Sequence, residues 1–378
     1  MTAGVPCMVL RGGSSKGAFF LAADLPTDEG ERDDLLCRIM GTPDDRQIDG
    51  IGGAHPLTSK VAVVAPAADP TRADIDYLFL QVGVGERIVT DRQNCGNLLA
   101  AVGPFALERG LLPTRPAQPT SSAVADDGHR SVRIRMVNSD SVATARFPVA
   151  DGLPVYQGDT AIAGVPGTAA TITLDFEDLA GGTAGALLPT GNAVDEVAGT
   201  PCTLIDNGMP VVVLAAESVG LSGHEPCAVL EADDDLRRRL EAIRLEAGPR
   251  MGLGDVAATT IPKLTMVSAP RSGGHLATRT FIPHRCHQAI GVLGAVSVAT
   301  AALLDGAPAA RHLAAVDGDL VRLEHPTGTF DAVVGVMAGP DGVRVERAGI
   351  VRTARKLMDG LVFPRTPDAV GADGTAID

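Results

Sequence analysis

Cys95 combines a reactive side chain with surroundings that suit proton transfer. The stretch RQNCGNLLAAVGPFALERG, residues 92–110, places this cysteine among small polar residues at the predicted start of an apolar helix. Unpaired N–H groups and the positive end of a helix dipole stabilise negative charge, which favours a reactive thiolate and an anionic ligand. The alternative is a small buried residue beside a helix cap.

Lys60 is the second candidate, because it begins the apolar run KVAVVAP. An amine that enters a run of valine and alanine is partly removed from water, and partly desolvated lysines serve as general bases. The alternative is a lysine whose stem lies along the strand end while its ammonium stays in water. The neighbouring Ser59 can donate a hydrogen bond to an anion.

The turn RGGSSKG, residues 11–17, offers cationic and hydroxyl side chains together with backbone N–H groups that its glycines leave accessible. It differs from a Walker A phosphate loop, which needs GxxxxGK[ST] before a helix, because the strand-like AFFLA follows it. A plain Gly-rich hairpin and a carboxylate-binding turn both remain open.

The second half contains RSGGHLATRTFIPHRCHQ, residues 271–288, which is rich in cations and potential ligands. His284, Cys286 and His287 match no standard zinc spacing, and no second ligand pair is apparent. The sequence shows no GxSxG elbow between a strand and a helix, since the strand-like AFFLA follows GSSKG, and no HExxH helix or GxGxxG after a strand. We therefore expect neither a metal nor an organic cofactor.

The composition describes a globular protein long enough for two or three domains, with 378 residues, 45% of them apolar and 21% charged. A formal charge of −14, no tryptophan and two tyrosines argue against a nucleic-acid partner, although a small anionic substrate needs only a local cationic cluster. No apolar run reaches the roughly 18 residues of a spanning helix. Six cysteines without a CxxC pair, behind an N-terminus that does not resemble a signal peptide, predict reduced thiols in the cytoplasm.

The chain shows a weak internal duplication, because four blocks recur in the same order. PCMVLRGG matches PCTLIDNG, TSKVAVVAP matches IPKLTMVSAP, SVATARF matches IVRTARK, and one long small-residue helix is predicted in each half, at 96–109 and 287–304. Strand-like runs separated by 44 glycines and 26 prolines make up the rest.

We therefore predict an α+β fold of two similar domains, 1–190 and 191–378, with the last segment packing back on the first domain. Each helix is expected inside the strands of its own half, and a ligand cleft is expected between the domains. The counterpart of Cys95 stays open, since counting from one helix glycine reaches Cys286 and counting from another reaches Gly291.

These blocks together resemble the diaminopimelate-epimerase-like superfamily, and within it the branch that contains methylaconitate and methylitaconate isomerases. The resemblance extends over nearly the whole chain in PCMVLRGGSSKGAFF, QIDGIGGAHPLTSKVAVV, NCGNLLAAVGPFALERG, DNGMPVVV, HRCHQAIGVLGAVSVA and RTARKLMDG. In this branch the chain is most similar to the 4-oxalomesaconate tautomerases.

The resemblance implies two pseudo-symmetric domains, each a β-barrel-like sheet around a central helix, and cofactor-free proton transfer at carbon. It implies that Lys60 is the base and that Cys95 is the acid or a proton-delivering neighbour, with Cys286 a less favoured partner. The implied reaction is a 1,3-allylic proton shift, the tautomerisation of 4-oxalomesaconate in gallate or protocatechuate breakdown. The first alternative function is isomerisation of 2-methylaconitate. The second alternative is that the chain is a non-catalytic metabolite-binding protein of the same fold.

We expect a small polycarboxylate as the ligand, no nucleic-acid or membrane partner, and allow for a homodimer. The residues predicted to bind the carboxylates are Arg11, Ser15, Lys16, Ser59, Asn94, Gly96, Asn97, Ser272 and Arg279.

Overall fold

The computed structural model describes residues 3–112, 128–339 and 342–367, and most of these residues lie in β-strands. The chain forms two compact units, which we call unit 1 (Met1–Leu174 with Arg352–Asp378) and unit 2 (Asp175–Val351). The domain bounds 1–190 and 191–378 stay a prediction.

Unit 1 begins with a β-hairpin and is built mainly of strands. Its strands are β1 (Val5–Gly12), β2 (Ser15–Leu21), β3 (Lys60–Pro66), β4 (Ile75–Val82), β5 (Val89–Thr90), β6 (His129–Met136), β7 (Ser141–Ala150), β8 (Leu153–Pro154) and β9 (Thr171–Phe176), which ends just past the unit's boundary. Its helices are α1 (Glu29–Met40), α2 (Gly96–Leu99) and α3 (Val102–Glu108), with a 3-10 turn at Ala22–Asp24.

The strands of unit 1 pair in a fixed alternation of directions. β1 is antiparallel to β2, β2 is parallel to β3, and β3 is antiparallel to β4. β4 then pairs in parallel with β6 and antiparallel with the short β5, and β6 is antiparallel to β7. The apolar run KVAVVAP thus forms β3, and the strand-like character predicted for the rest of this half is seen in β4 and β6.

Helices cover both faces of this sheet, because side chains alternate between the faces of a strand. On one face, Phe20, Val61 and Leu80 form a buried cluster with Leu36 and Met40 of α1. The other face packs against α2 and α3, which contact strands from β1 to β8. There the rings of Phe19 and Phe105 lie 5.5 Å apart. The sheet therefore wraps around the small-residue helices as the family resemblance implies.

Unit 2 repeats this organisation. Its strands are β10 (Asp195–Val197), β11 (Thr200–Asp206), β12 (Pro210–Ala215), β13 (Lys263–Ser268), β14 (Leu276–Ile282), β15 (Arg285–Cys286), β16 (Leu320–His325), β17 (Gly328–Gly339) and the first part of β18 (Gly342–Val362). Its helices are α4 (Cys227–Ala232), α5 (Asp234–Arg250) and α6 (Val292–Ala302), with 3-10 turns at Ala216–Val219 and Ala310–His312.

The pairing pattern of unit 2 matches that of unit 1 strand by strand. β11–β12 and β13–β14 are antiparallel, β12–β13 is parallel, β14–β16 is parallel and β16–β17 is antiparallel. α6 packs on β11, β12, β16 and β17, whereas α4 and α5 cover the opposite face. The predicted fold class, α+β with a central helix in each of two similar halves, is confirmed.

Both central helices differ from their predicted bounds of 96–109 and 287–304. The first is interrupted at Ala100 and Ala101, since Pro104 has no N–H to bond the carbonyl four residues before it. The second begins at Val292, because His287 still donates its backbone N–H to the Thr280 carbonyl (2.7 Å) and so extends the sheet.

All six cysteines are buried and free. Among the residues that the structure describes, no helix is long and apolar enough to cross a membrane.

Candidate functional site

Strand β2 lies against both Lys60 and the start of α2. A Cβ atom added at Gly17 would stand 2.8 Å from the Lys60 carbonyl oxygen and 3.0 Å from the Leu98 side chain, so only glycine allows this close approach. Two residues earlier on the same face of β2, the Ser15 hydroxyl lies 4.0 Å from the Cys95 sulfur. The structure thus brings Lys60, Cys95 and Ser15 to one end of the same sheet.

Cys95 occupies the N-cap position of α2, where its backbone is extended (φ −125°, ψ 90°) and its side chain makes no capping hydrogen bond. The residue is 9% exposed, so its thiol is sheltered but reachable by a small molecule. α2 contains only four residues before the interruption, which weakens the helix dipole that the sequence predicts behind Cys95.

Lys60 carries a buried ammonium that is held by neutral groups. It is 6% exposed, and its Nζ donates to Gln81 Oε1 at 2.8 Å and lies 4.8 Å from the centre of the Phe79 ring. Within the described part of the chain no carboxylate lies within 4.0 Å of Nζ. The ammonium therefore lacks an internal counter-charge and suits an anionic ligand.

Gln81 fixes the orientation of the Lys60 amine. Its Nε2 donates to the carbonyls of Pro56 (3.1 Å) and Ser59 (2.8 Å), so its Oε1 must face Lys60. Sequence reasoning missed this residue because the two lie 21 positions apart and meet only through the antiparallel register of β3 and β4. The signal that could have identified Gln81 is the occurrence of a glutamine on the otherwise apolar strand YLFLQV.

Ser59 is fully buried, and its hydroxyl accepts a hydrogen bond from Gln47 Nε2 at 2.8 Å. Gln47 Oε1 in turn accepts from the Ala54 backbone N–H at 3.0 Å. The two side chains hold the loop DGIGGA next to the site, and this is a structural role that the sequence did not indicate for Gln47.

The β1–β2 turn is held in place by its own arginine. Arg11 Nη1 donates to the carbonyls of Gly13 (2.7 Å) and Thr353 (3.1 Å) and to the Thr353 hydroxyl (3.0 Å). Burial lowers the pKa of Arg11, and the nearby Arg355 lowers it further. The Arg11 guanidinium thus donates mainly to backbone carbonyls of the protein in this structure.

Asn97 links this turn to α2. Its Nδ2 donates to the Ser14 hydroxyl at 3.3 Å, and its Oδ1 accepts from Arg352 Nε at 3.0 Å. Gly13 has a positive φ of 52°, and a Cβ atom there would stand 2.4 Å from Asn97 Oδ1. Arg352 therefore joins the predicted residues at the start of α2, where sequence reasoning did not place it.

The remaining predicted residues of unit 1 border the same region. The Lys16 ammonium lies beside the loop glycine Gly53 and has no hydrogen-bond or ion-pair partner among the described residues. Gly96 is half-buried as the first residue of α2. Asn94 is exposed and donates to the Ser139 hydroxyl at 2.6 Å.

Ser272 and Arg279 belong to unit 2. The backbone N–H of Ser272 donates to Glu324 Oε1 at 2.5 Å, and the same carboxylate accepts from Arg271 and Gly274. Burial alone would raise the pKa of Glu324, but these three donors outweigh it and hold the pKa below its usual 4.5. The protein's own carboxylate therefore occupies the N–H groups of this turn.

Arg279 is buried and donates to the backbone carbonyls of Glu225 (2.8 Å) and Thr278 (2.9 Å). Its strand partner is Met266, whose side chain belongs to the core beneath α4 and α5. Arg279 thus shares the sheet face opposite α6, in contrast to the face of unit 1 that carries Lys60.

The duplicated topology decides which residue corresponds to Cys95. Gly291 is the N-cap of α6, as Cys95 is of α2, so Gly291 is the counterpart and Cys286 is not. Cys286 instead lies on β15, in contact with the Cys227 thiol, and burial raises its pKa, with Cys227 adding to the increase.

Lysine is rare in this chain, and its few positions are informative. The only four are Lys16, Lys60, Lys263 and Lys356. Lys356 pairs with Glu108, whereas the other three have no carboxylate partner in the described residues. Lys263 begins β13 as Lys60 begins β3, and burial lowers its pKa. Lysines without counter-charges thus recur at duplicated positions.

Within 3–112, 128–339 and 342–367 no group of three or more His, Cys, Asp or Glu side chains is arranged to hold a metal ion. His284 lies 3.9 Å from Glu241 instead.

Comparison with known proteins relates the chain to characterised isomerases over almost its full length. It is 53% identical over 360 residues to 4-oxalomesaconate tautomerase of Pseudomonas putida (strain KT2440), which covers 95% of both chains. It is also 53% identical to (4E)-oxalomesaconate Delta-isomerase of Novosphingobium sp. (strain KA1), which covers 95% of this chain and 97% of the relative.

Among solved structures, methylitaconate-delta-isomerase superposes with a TM-score of 0.84 at 33% identity and covers 96% of each chain. This likeness supports the fold described above. The family model described as PrpF protein matches residues 2–365. The chain therefore belongs to the PrpF family.

Proposed function

We propose that this chain is an isomerase that moves a proton between two carbons of 4-oxalomesaconate in a 1,3-allylic shift, without a cofactor. The observation that carries the proposal is the pair formed by a buried, uncompensated Lys60 amine and the sheltered Cys95 thiol at one end of the unit 1 sheet. Two relatives that cover 95% of this chain at 53% identity carry names for a reaction of this substrate.

Lys60 acts as the base in the first step. The C–H bond that is vinylogous to the substrate carbonyl breaks, its proton moves to the Lys60 amine, and its electron pair passes into a dienolate whose charge rests on the carbonyl oxygen. Gln81 holds the amine by a single acceptor and leaves the other positions of Nζ for the substrate.

The second step returns a proton to a different carbon and restores the carbonyl. Either Lys60 delivers the proton it received, or Cys95 donates its thiol proton and is re-protonated from Lys60 or from water. Both routes balance, because each removes one proton and adds one. Groups that stabilise the dienolate oxygen, such as the Ser15 hydroxyl beside Cys95, lower the barrier between the steps.

Binding of a polycarboxylate follows from the local charge and not from the net charge of −14. Lys16 and Lys60 lack carboxylate partners in the described residues, and Arg352 reaches Asn97 at the start of α2. Lys16 and Arg352 thus supply two positive charges for the carboxylates, and Lys60, which is neutral when it acts as the base, supplies a third once it has taken the proton.

The direct test is turnover of 4-oxalomesaconate by the purified chain, followed by ultraviolet absorbance and by proton NMR in deuterated water. We expect conversion with deuterium incorporated at the new carbon. Binding of the substrate by calorimetry without any conversion would contradict the proposal and support a non-catalytic binding protein.

A related substrate is the second candidate, since methylitaconate-delta-isomerase shares 33% identity and the same fold. Measuring kcat/KM for 4-oxalomesaconate, 2-methylaconitate and methylitaconate under one set of conditions separates these activities. The predicted homodimer and cytoplasmic location stay predictions; sedimentation tests the first.

A further inference from the structure

Tyr77 is a buried tyrosine whose hydroxyl has no hydrogen-bond partner among the residues that the structure describes. The residue is fully buried in β4, and no hydrogen-bond partner for its Oη lies within the described part of the chain. Buried polar groups of native proteins are nearly always satisfied, so an orphaned hydroxyl needs an explanation. The other tyrosine, Tyr156, meets this rule, because its hydroxyl donates to Glu108 at 2.7 Å.

The strand pairing places Tyr77 on the functional face of the sheet. Tyr77, Phe79 and Gln81 alternate along β4, so they share one face. Their partners across the antiparallel ladder are Val64, Ala62 and Lys60. This is the face that packs against the central helices and that carries the Lys60 amine.

The segment before Cys95 runs beside the same strand. Val137 donates its N–H to the Tyr77 carbonyl at 2.9 Å, and Asn138 Nδ2 donates to the carbonyls of both Phe79 and Asp91. Asn94 then contacts Ser139. Residues 137–139 therefore tie residues 91–94 to β4 beside Phe79, the next residue after Tyr77 on the same face, and Cys95 follows directly.

Electrostatics agrees with this placement. Burial raises the pKa of Tyr77 well above its usual 10.0, and a negative charge on Cys95 raises it further. Tyr77 therefore keeps its proton throughout the working pH range and stays a hydrogen-bond donor on which the charge of Cys95 acts.

We propose that Tyr77 is a positioning residue for Cys95, and that the Tyr77 hydroxyl donates a hydrogen bond through one water to the Cys95 sulfur when the sulfur is a thiolate. The bond stabilises the charged form that results when Cys95 gives up its proton. Its catalytic consequence rests on the proposed function, whereas the interaction itself does not require turnover.

Other charged groups lie on the neighbouring strands or precede α2, and they stay unchanged when Tyr77 is altered. They are Arg11 from β1, Lys16 from β2, Lys60 from β3 and Arg352 from β18, together with Asp91 and Arg92, which precede the helix. A change that follows removal of the Tyr77 hydroxyl alone is therefore attributable to that hydroxyl.

The test is the pH dependence of Cys95 alkylation by iodoacetamide in the full chain, with Tyr77→Phe compared with the unaltered protein. The Cys95 peptide is quantified by mass spectrometry, so alkylation of the other cysteines does not interfere. The pH runs from about 5.5 to about 9.5, a range that brackets the ordinary thiol pKa. We expect the midpoint of the rate profile to move to higher pH by about one unit, because hydrogen bonds to charged groups have this strength. The alkylation rate at pH 7 then falls up to about tenfold. Superimposable profiles would overturn the proposal.

Tyr156→Phe is the matched control, because it removes the other tyrosine hydroxyl of the chain together with its bond to Glu108. We expect Tyr156→Phe to lose thermal stability and to keep the alkylation profile. Tyr77→Phe is expected to keep its melting temperature or to have a higher one. A profile that moves equally in both variants would contradict a specific role for Tyr77.

A second variant keeps the proposal testable even when Tyr77→Phe does not fold. Replacing Tyr77 with 3-fluorotyrosine preserves its shape and makes the hydroxyl a stronger donor, so the midpoint moves to lower pH. No movement would overturn the proposal. Alkylation needs no substrate, so a shifted profile in a protein that does not isomerise 4-oxalomesaconate would refute the proposed function alone.

Discussion

Replacing Lys60 with methionine removes the ammonium and keeps an unbranched side chain of nearly the same length. If Lys60 is the base, turnover of 4-oxalomesaconate falls about 10²–10⁴-fold, the usual contribution of a positioned general base. The loss is expected in kcat more than in KM, because Lys16 and Arg352 still bind the carboxylates.

The same substitution has a worked effect on stability. It removes the Nζ–Gln81 hydrogen bond, worth about 1.5–3 kcal/mol for a charged donor, and the contact with the Phe79 ring, worth about 0.5–2 kcal/mol. It also removes the cost of burying an ammonium without a counter-charge, which amounts to several kcal/mol. The terms nearly cancel, so we expect the melting temperature to change by no more than about 4 °C.

Steady-state kinetics and thermal unfolding of one Lys60→Met preparation check both statements. Lys356→Met is the matched control, since Lys356 pairs with Glu108 and lies outside the proposed site. It should leave kcat unchanged. A Lys60→Met variant that stays within about tenfold of normal turnover would refute the base assignment. A fall of more than about 10 °C in its melting temperature would refute the stability reasoning instead.

Four further outcomes are expected. Cys95→Ser should turn over more slowly yet measurably, because Lys60 alone can carry the shift, and single-turnover deuterium incorporation would show whether less solvent hydrogen enters the product. Gln81→Leu should lower kcat about 10–100-fold, since it frees the amine from its single acceptor, and kcat unaltered by the change would refute that role. Glu324→Gln should destabilise the protein by about 1.5–3 kcal/mol at pH 7. Because the pKa of Glu324 is lowered in the folded state, this difference in stability is fully present above the unfolded pKa of 4.5 and vanishes as the pH falls through the folded pKa. Urea titrations of both proteins at pH 7 and pH 3 would reveal the change. Exhaustive chelation with EDTA should leave activity intact, and a loss that zinc restores would revive His284, Cys286 and His287 as ligands.

Local features of the site were predictable from the sequence because they depend on neighbouring residues. A cysteine at the start of a small-residue helix and a lysine at the start of an apolar strand are both patterns of local composition, and the structure places Cys95 and Lys60 at these starts. The duplicated blocks likewise predicted the repeated strand order, because similar hydrophobic patterns form similar ladders. The match of SVATARF with IVRTARK was wrong, since the first lies in β7, whose counterpart is β17, and the second lies in β18, where unit 1 resumes at Arg352.

Contacts between distant residues were not predictable in this way. Gln81 reaches Lys60 only through the register of β3 and β4, and Arg352 reaches Asn97 across 255 positions of sequence. Composition also fails to mark where a strand ends and a helix begins. The run that begins at His287 looks helical, yet His287 still bonds the sheet, and α6 begins only after its N-cap Gly291.

The last strand has a consequence for how the protein matures on the ribosome. Residues Ala354–Val362 of β18 pair with β1, and Thr353 receives hydrogen bonds from Arg11 and Gly13. The hairpin that borders Lys60 and Cys95 is therefore synthesised long before the strand that completes it, since Arg11 and Thr353 are 342 positions apart in the sequence. Until the part of β18 that follows Val351 leaves the exit tunnel, the edge of β1 is unpaired while unit 2 is already available to fold. A nascent chain released before residue 352 would carry both proposed catalytic side chains and still lack the strand that completes their setting, and its bare β1 edge makes it a substrate for chaperones or aggregation.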